Sequence, residues 1–426
     1  QLAAPGKVAL ADIAYHLAAN LGSGTHSLAL VVGNLDELAD KLDKAQRRLA
    51  GEALIDPSIQ LGDSLVEAGQ VAVLFPGQGS QNIHMLREIA VLFPAVAETL
   101  AAADQQLQDS TERFADKPLS QFIYPRSCYD DSARQAASAA LTSTDIAQPA
   151  LGVVEAGLWR LLQELGISAD MAAGHSYGEF VALFAAGHID FPTLISLSEA
   201  RGRFIVEAAA SAGSELGSMA MVQAPRALVE ASISHLPDVL VANHNAPEQS
   251  IISGSQAGIA SALQAFQAAG LNASAIPVAA AFHSPFVAPA QWLLAAAIEA
   301  AYWQPGSMPV YSNTTAALHS RDTAQLKASM AEHLVKPVEF VAQVEAMYAA
   351  GARVFIEVGP KAVLSRLVGR ILDGRAHQAI ALDERGAGIT SLLTALARLF
   401  CLGVSFQPTA LFARRDCLRS SNGRLD

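Results

Sequence analysis

The sequence predicts an α/β fold: a large unit on a mostly parallel sheet, interrupted by a smaller βαββαβ unit and preceded by a short α/β segment. Three observations carry this expectation. From Val71 onward, short apolar runs alternate with helix-period segments, the order that builds parallel sheets. From about Ser218 to Ala281 the order becomes strand, helix, strand, strand, helix, strand, which is the ferredoxin-like order. Residues 1–70 carry helix and strand signals of their own and end in a polar stretch.

Taken in order, "VALADIAYHLAANL" has helical periodicity, "HSLALVVG" is strand-like, and "LDELADKLDKAQRRLAGE" is a charged amphipathic helix. "DPSIQLGDS" reads as a linker because Pro, Gly, Asp and Ser cluster there. "VAVLFPGQGSQ", from Val71 to Gln81, is a buried parallel strand followed by a glycine turn. "LWRLLQELGI" is a helix stopped at Gly166, and "ADMAAG" leads to a serine followed by the helix "GEFVALFAAGHI". The inserted unit runs "SMAMVQA", "PRALVEASISHL", "VLVANHN", "SIISGS", "QAGIASALQAFQAAG" and "NASAIPVAA". Beyond it, "ARVFIEVGP" is a strand and "KAVLSRLVGRIL" a helix. No tandem repeat or low-complexity tract occurs.

The chain has 426 residues, 51% of them hydrophobic, enough for a large core and more than one structural unit. A net charge of −12 without a Lys/Arg-rich run argues against nucleic-acid binding. No apolar stretch has the length and purity of a membrane span; "LLAAAIEAAYW" is short and helix-patterned. The chain opens on Gln1 without a signal-like segment, and we read it as a piece of a longer protein. Cys128, Cys401 and Cys417 form no metal or disulfide spacing, which fits a reducing cytoplasm. No His/Cys/Asp/Glu cluster has metal-ligand spacing, and "GQGSQ" lacks the pattern of a nucleotide-binding loop.

"GHSYG" fits G-x-S-x-G, the strand-to-helix elbow that projects a nucleophilic serine, here Ser176. Backbone N–H groups at the start of the following helix are placed to stabilise an oxyanion. A serine needs a base. Of the 11 histidines, His175 is adjacent to the serine and reads as structural; His84, His188, His235, His319 and His377 sit in surface-like or helical settings. His283, in "PVAAAFHSPFV", follows a strand and lies in a proline-flanked loop, where catalytic bases often sit. On pattern alone, the base and an ordinary loop histidine stand level. Arg201, in "SEARGRF", reads on pattern alone as a surface helix arginine.

"FPGQGSQ", "GHSYGE", "SEARGRF", "AFHSPF", "SNTTA", "PVEF" and "FIEVGPKAVLSRLV", in this order, resemble the malonyl-CoA:acyl-carrier-protein transacylase family. The chain looks like the acyltransferase domain of a type I polyketide synthase. "GHSYGEF" and "ANHNAPEQ" are similar to iterative synthases of the enediyne or polyunsaturated fatty acid type. The resemblance implies a large hydrolase-like parallel-sheet subdomain with an inserted ferredoxin-like subdomain at about 218–281. It spans 71–404; residues 1–70 resemble the linker from a ketosynthase, and 405–426, with "FQPTALFARRD", the start of the following linker.

The resemblance assigns roles to residues. Ser176 is the nucleophile and His283 its base, a dyad whose imidazole is held by backbone carbonyls. Gln78 and Tyr177 supply the oxyanion-hole N–H groups, leaving the Tyr177 ring free to shape the pocket. Arg201 binds the malonyl carboxylate through its planar guanidinium. Malonyl-selective relatives read His-Ala-Phe-His where this chain reads Ala280-Ala281-Phe282-His283. The Phe282 ring fits malonyl selectivity by filling the space of an α-methyl, while Ala280 departs from the pattern. His333 stands where some relatives carry Gln, at a position whose carbonyl holds the catalytic histidine. Asn313 has a supporting role near the cleft.

The implied reaction is ping-pong transfer from malonyl-CoA to the phosphopantetheine thiol of an acyl carrier protein, without a permanent cofactor. An acidic carrier requires a basic patch, for which Arg203, Lys361, Arg366 and Arg370 are candidates. The alternatives are a serine esterase or acyl hydrolase, an editing hydrolase, and a non-catalytic docking module. The order Ser, Asp/Glu, His of the hydrolases does not match, and an intact Ser176, His283 and Arg201 argue against the other two.

Overall fold

The computed structural model describes residues 9–22, 26–63, 69–126, 130–211, 217–278, 280–384 and 386–415. Cys128, Cys417 and the C-terminal part of the expected 405–426 linker lie outside the described residues. The chain divides into two compact units. One comprises Gln1–Ala68, Arg160–Ser168 and Ile389–Asp426; the other comprises Gly69–Trp159 and Ala169–Gly388.

In the first unit, β1 (His26–Leu30) pairs antiparallel with β2 (Ile59–Asp63), Leu28 opposite Leu61. β2 lies inside the stretch read as linker: Ile59 is buried, and the polar residues around it hide a strand. The helix Leu35–Leu49 begins at Asn34, whose side chain accepts from the Glu37 N–H at 2.8 Å, and ends with Arg47 and Arg48 against its negative pole. The helix Ile389–Cys401 belongs to this unit, although the linear boundary at 404 places it with the parallel sheet. It buries Leu392, Leu396 and Leu399, and its Cys401 carbonyl comes so close to Gly62 of β2 that no side chain fits there. Helical periodicity marks a buried face without saying which sheet it covers.

The second unit contains β3 (Gln70–Phe75), β4 (Met171–Gly174), β5 (Ser218–Gln223), β6 (Val239–Ala246), β7 (Gln249–Gly254), β8 (Asn272–Ile276), β9 (Val310–Tyr311), β10 (Ala352–Glu357) and β11 (Gln378–Ala381). Five of these form a parallel sheet in the order β11-β10-β3-β4-β9. β3 is buried from Val71 to Phe75, which explains its uninterrupted apolar run: a parallel strand covered on both faces has no polar side.

The other four form an antiparallel sheet in the order β6-β7-β5-β8. Counted within the insertion this is 2-3-1-4, the ferredoxin-like arrangement. The helices Arg226–Ile233 and Gln256–Ala268 cover one face through Val229, Ile233, Ile259 and Phe266. On the other face, Met219, Ala242 and Ile251 meet Phe282, which leads into the expected base. The insertion is stitched to the larger subdomain by Val338, whose N–H donates to the Ala242 carbonyl at 2.8 Å and whose carbonyl accepts from the His244 N–H at 2.9 Å. Among the described residues, no helix is long and apolar enough to cross a membrane.

Candidate active site

β3 and β4 run side by side, with Phe75 opposite Gly174, so the chain leaves both strands at the same sheet edge. Loops at the carboxyl ends of parallel strands are the usual site position in such sheets. The His175 N–H donates to the Phe75 carbonyl at 3.0 Å, and Ser176 turns with φ of 50° into the helix Gly178–Ala185. A Cβ at Gly178 would stand 2.0 Å from the Phe75 oxygen, and one at Gly174 2.1 Å from the Glu179 nitrogen. Both flanking positions of G-x-S-x-G therefore require glycine through close backbone approach. His175 anchors the turn from behind, its Nε2 2.7 Å from Asn245 Oδ1 on β6 and its ring edge-on to Phe340.

The Ser176 Oγ lies 2.7 Å from His283 Nε2, and His283 Nδ1 lies 2.8 Å from the Lys336 carbonyl oxygen. A carbonyl only accepts, so Nδ1 carries the proton and Nε2 is left as the acceptor for the serine proton. The His283 N–H donates to the Leu334 carbonyl at 3.1 Å, fixing the loop in a left-handed conformation with φ of 57°. Burial, and then the charge of Arg201, push the His283 pKa down to about 3, so the imidazole is neutral at pH 7. The resemblance assigns the holding carbonyl to His333. The hydrogen-bonded one is that of Lys336, with a lesser contribution from His333, because the chain after the helix Thr323–Glu332 turns so that successive carbonyls face the loop.

The backbone N–H groups of Gln78 and Tyr177 donate to no acceptor among the described residues, whereas their neighbours do: Gly79 to Gln81 Oε1 at 2.6 Å, Ser80 to Gly77 at 3.3 Å and Gly178 to His175 at 3.0 Å. The glycine loop is held by Lys361, whose Nζ donates to the carbonyls of Gly79 at 3.1 Å and Gln81 at 3.2 Å. The Gln78 side chain donates to Thr144 Oγ1 at 3.2 Å. The expectation that the Tyr177 ring shapes an open pocket is not met. The ring is 0% exposed, its hydroxyl lies 2.6 Å from Ser198 Oγ, and it fits against the space left by Gly152. Tyr177 is the residue before the helix Gly178–Ala185, and its anchored ring serves as a peg that fixes its own N–H.

Arg201 is 2% exposed, and its Nε and Nη2 have no hydrogen-bond partner among the described residues. Its guanidinium carbon sits 6.0 Å from the centre of the Phe180 ring. Burial pushes its pKa down to about 10, which leaves it charged at pH 7. The surface reading of Arg201 therefore fails. Arg203, on the same helix, shows what a surface arginine looks like here: it pairs with Glu199 at 2.8 Å and Glu207 at 3.3 Å. A buried cation without an acceptor is costly unless something anionic arrives.

A buried polar cluster lies beside the dyad. Glu179, three residues after the nucleophile, accepts from the Asn313 backbone N–H at 2.7 Å and from the Asn313 amide. His319 Nε2 reaches the other oxygen of Glu179 at 2.6 Å, and His333 Nε2 lies 3.0 Å from Asn313 Nδ2. The His333 ring meets the His283 ring edge-on at 6.0 Å. The sequence reading leaves His188 and His319 in surface-like settings and passes over Glu179, yet all three side chains are buried. The glutamate that follows the elbow motif is the available signal. His319 gives none, because its partner is 140 positions away.

Of the proposed basic patch, Lys361 and Arg203 are engaged as above, and Arg370 donates to Gln249 Oε1 at 2.7 Å. Arg366 is exposed on the helix Leu364–Ile371. A cavity of about 560 Å³ lies against the helix Phe191–Ser211, lined by Leu107, Ser196, Leu197, Glu199, Arg203 and Ala297; Arg201, Ser176 and His283 are not among its lining residues.

Comparison with known proteins matches residues 73–388 to the family described as "Acyl transferase domain". A polyunsaturated fatty acid synthase component from Thraustochytrium sp. is 34% identical over 307 residues, covering 71% of this chain and 11% of that protein, so the chain corresponds to a small part of its length. The malonyl CoA-acyl carrier protein transacylase of Bacillus subtilis is 32% identical over 319 residues, covering 74% of this chain and 94% of that one. The crystal structure of the acyltransferase domain from the second module of the salinomycin polyketide synthase matches with a TM-score of 0.77 at 26% identity, covering 94% of this chain and 87% of that one.

Proposed function

We propose that this chain, which belongs to the acyl transferase domain family, moves a malonyl group from malonyl-CoA to the phosphopantetheine thiol of an acyl carrier protein. The observation that carries this reading is a buried, acceptor-less Arg201 close enough to a hydrogen-bonded Ser176–His283 pair for its charge to depress the histidine. The nucleophile takes an acyl group and the arginine selects one that ends in a carboxylate.

In the first half-reaction, the malonyl carboxylate pairs with Arg201 and the thioester carbonyl lies over Ser176. Ser176 Oγ attacks the carbonyl carbon as its proton passes to His283 Nε2. The Lys336 carbonyl holds the imidazolium that forms. The oxyanion accepts from the Gln78 and Tyr177 N–H groups, which are already oriented and unengaged. Collapse breaks the C–S bond, the thiolate of CoA takes the proton back from His283, and a malonyl–Ser176 ester remains. In the second, the carrier thiol attacks that ester, its proton goes to His283 Nε2, and Ser176 Oγ leaves with that proton. Malonyl carboxylate bound to Arg201 removes the charge repulsion that depresses His283, so the base is strengthened when substrate is present.

Phe282, half-buried against the inserted sheet, fits a pocket for malonyl rather than methylmalonyl. The breadth of the match to a polyketide synthase acyltransferase structure, which exceeds the span 73–388, supports reading 1–70 as the linker from a ketosynthase and 405–426 as the start of a following linker. The carrier would be met from the exposed surface around Arg366.

The test is transfer itself: malonyl-CoA labelled in the malonyl group is mixed with a holo carrier protein and this chain. The expected result is label on the carrier that requires both the phosphopantetheine arm and Ser176. Free malonate released at the rate of CoA production, with no labelled carrier, would instead favour a hydrolase.

A further inference from the structure

We infer that His333 is a specificity-determining residue that donates its Nδ1–H to the carboxylate of the incoming acyl group, beside Arg201. The inference rests on the malonyl reading above and adds a second recognition group to it.

The tautomer follows from the neighbours. The Asn313 backbone N–H and its amide nitrogen both face the same oxygen of Glu179, which fixes the amide nitrogen as the group on that side. The same nitrogen lies 3.0 Å from His333 Nε2, so Nε2 is the acceptor and the ring proton is on Nδ1. Nδ1 has no hydrogen-bond partner among the described residues, in a side chain that is 1% exposed. Burial first, and then the charge of Arg201, hold the ring well below the usual histidine range, so it is neutral and has a single N–H to give.

The position follows from shared contacts. The His333 ring stands edge-on to Phe180 at 5.9 Å, and the Arg201 guanidinium lies 6.0 Å from the same Phe180 ring. The third side of the group is His283, edge-on to His333 at 6.0 Å. Both side chains border one phenyl ring, and the Arg201 charge acts on the His333 ring directly; Nε and Nη2 of Arg201 and Nδ1 of His333 are three buried donors without acceptors among the described residues. Buried donors without partners are rare and costly. A carboxylate offers about four acceptor directions; Arg201 takes two along one edge, and His333 is left for a third.

The test compares loading of Ser176 by malonyl-CoA and acetyl-CoA in the wild type, His333→Phe and His333→Gln. Malonyl loading of the wild type is established first; its absence would overturn the malonyl reading and this inference with it. In His333→Phe the ratio of malonyl to acetyl kcat/KM is expected to fall about 10- to 100-fold, the range for a hydrogen bond to a charged group, and chiefly through KM. His333→Gln, which keeps an N–H donor, is expected to recover most of the ratio. Equal losses toward both substrates would show a purely structural role and overturn the inference, as would an unchanged ratio. Should the phenylalanine variant fail to fold, the wild type decides through the histidine ring ¹⁵N–¹H resonances. The Nδ1–H signal of His333 is expected to move downfield when Ser176 carries malonyl and not when it carries acetyl; identical shifts would contradict the inference.

Discussion

At the scale of residues, the proposed chemistry rests on three side chains held by unlike means. Ser176 is presented by a left-handed turn, His283 is oriented by the Lys336 carbonyl, and Arg201 is buried with donors that meet no acceptor among the described residues. Arg201→Ala is expected to lower malonyl kcat/KM about 100-fold or more, as loss of a bidentate charged pair, while acetyl loading of Ser176 is spared. Parallel loading assays with the two thioesters check this, and equal loss in both would remove Arg201 from carboxylate binding. Phe282→Ser is expected to narrow malonyl-over-methylmalonyl discrimination by about 10-fold, read from competition between the two CoA esters, because one methyl in an apolar pocket is worth that order. The elbow that carries the candidate nucleophile Ser176 was legible in the sequence because its glycines are dictated by local geometry. The Lys336 carbonyl and the Glu179–His319 contact were not, since main-chain partners and contacts across 140 positions leave no mark in residue type or spacing.

At the scale of elements, the site is the place where β3 and β4 end together and the following helix is drawn against them. Gly178→Ala would press a Cβ against the Phe75 carbonyl, and neither backbone can yield. The expected cost is about 3 kcal/mol, seen as a fall in thermal midpoint together with loss of Ser176 loading. A variant with unchanged midpoint and activity would show that the elbow is looser than this. A similar logic places Glu357 of β10, whose carboxylate accepts from the N–H groups of Val363, Leu364 and Ser365 and caps the helix Leu364–Ile371. The order of strands and helices was legible because period and turn residues are local properties. The pairing β6-β7-β5-β8 followed from the ferredoxin-like order, whereas the strand hidden in "DPSIQLGDS" is defined by its pairing with β1 across an intervening helix.

At the scale of the molecule, the second unit keeps His175, His283 and His333 buried and neutral, all with pKa pushed below the ordinary value chiefly by burial. The unfolded chain binds these protons near pH 6.5 and the folded chain does not. Stability contributed by the neutral rings is therefore complete above about pH 6.5 and lost as pH falls toward 3. For His283 alone, the loss at pH 5 is about 2 kcal/mol. Thermal midpoints at pH 7.5 and pH 5 are expected to differ less in His283→Asn than in the wild type, and an equal difference would mean the ring is protonated when folded. The division into two compact units was only partly legible, because the helix Ile389–Cys401 returns to the antiparallel pair of β1 and β2 formed more than 300 residues earlier. The central claim, that Ser176 carries a malonyl ester, is tested most directly by intact-protein mass spectrometry after mixing with malonyl-, methylmalonyl- and acetyl-CoA, wild type beside Ser176→Ala. The expected result is a malonyl addition on the wild type that is absent from the variant. A folded wild type that gains no mass from any of the three esters would contradict the account.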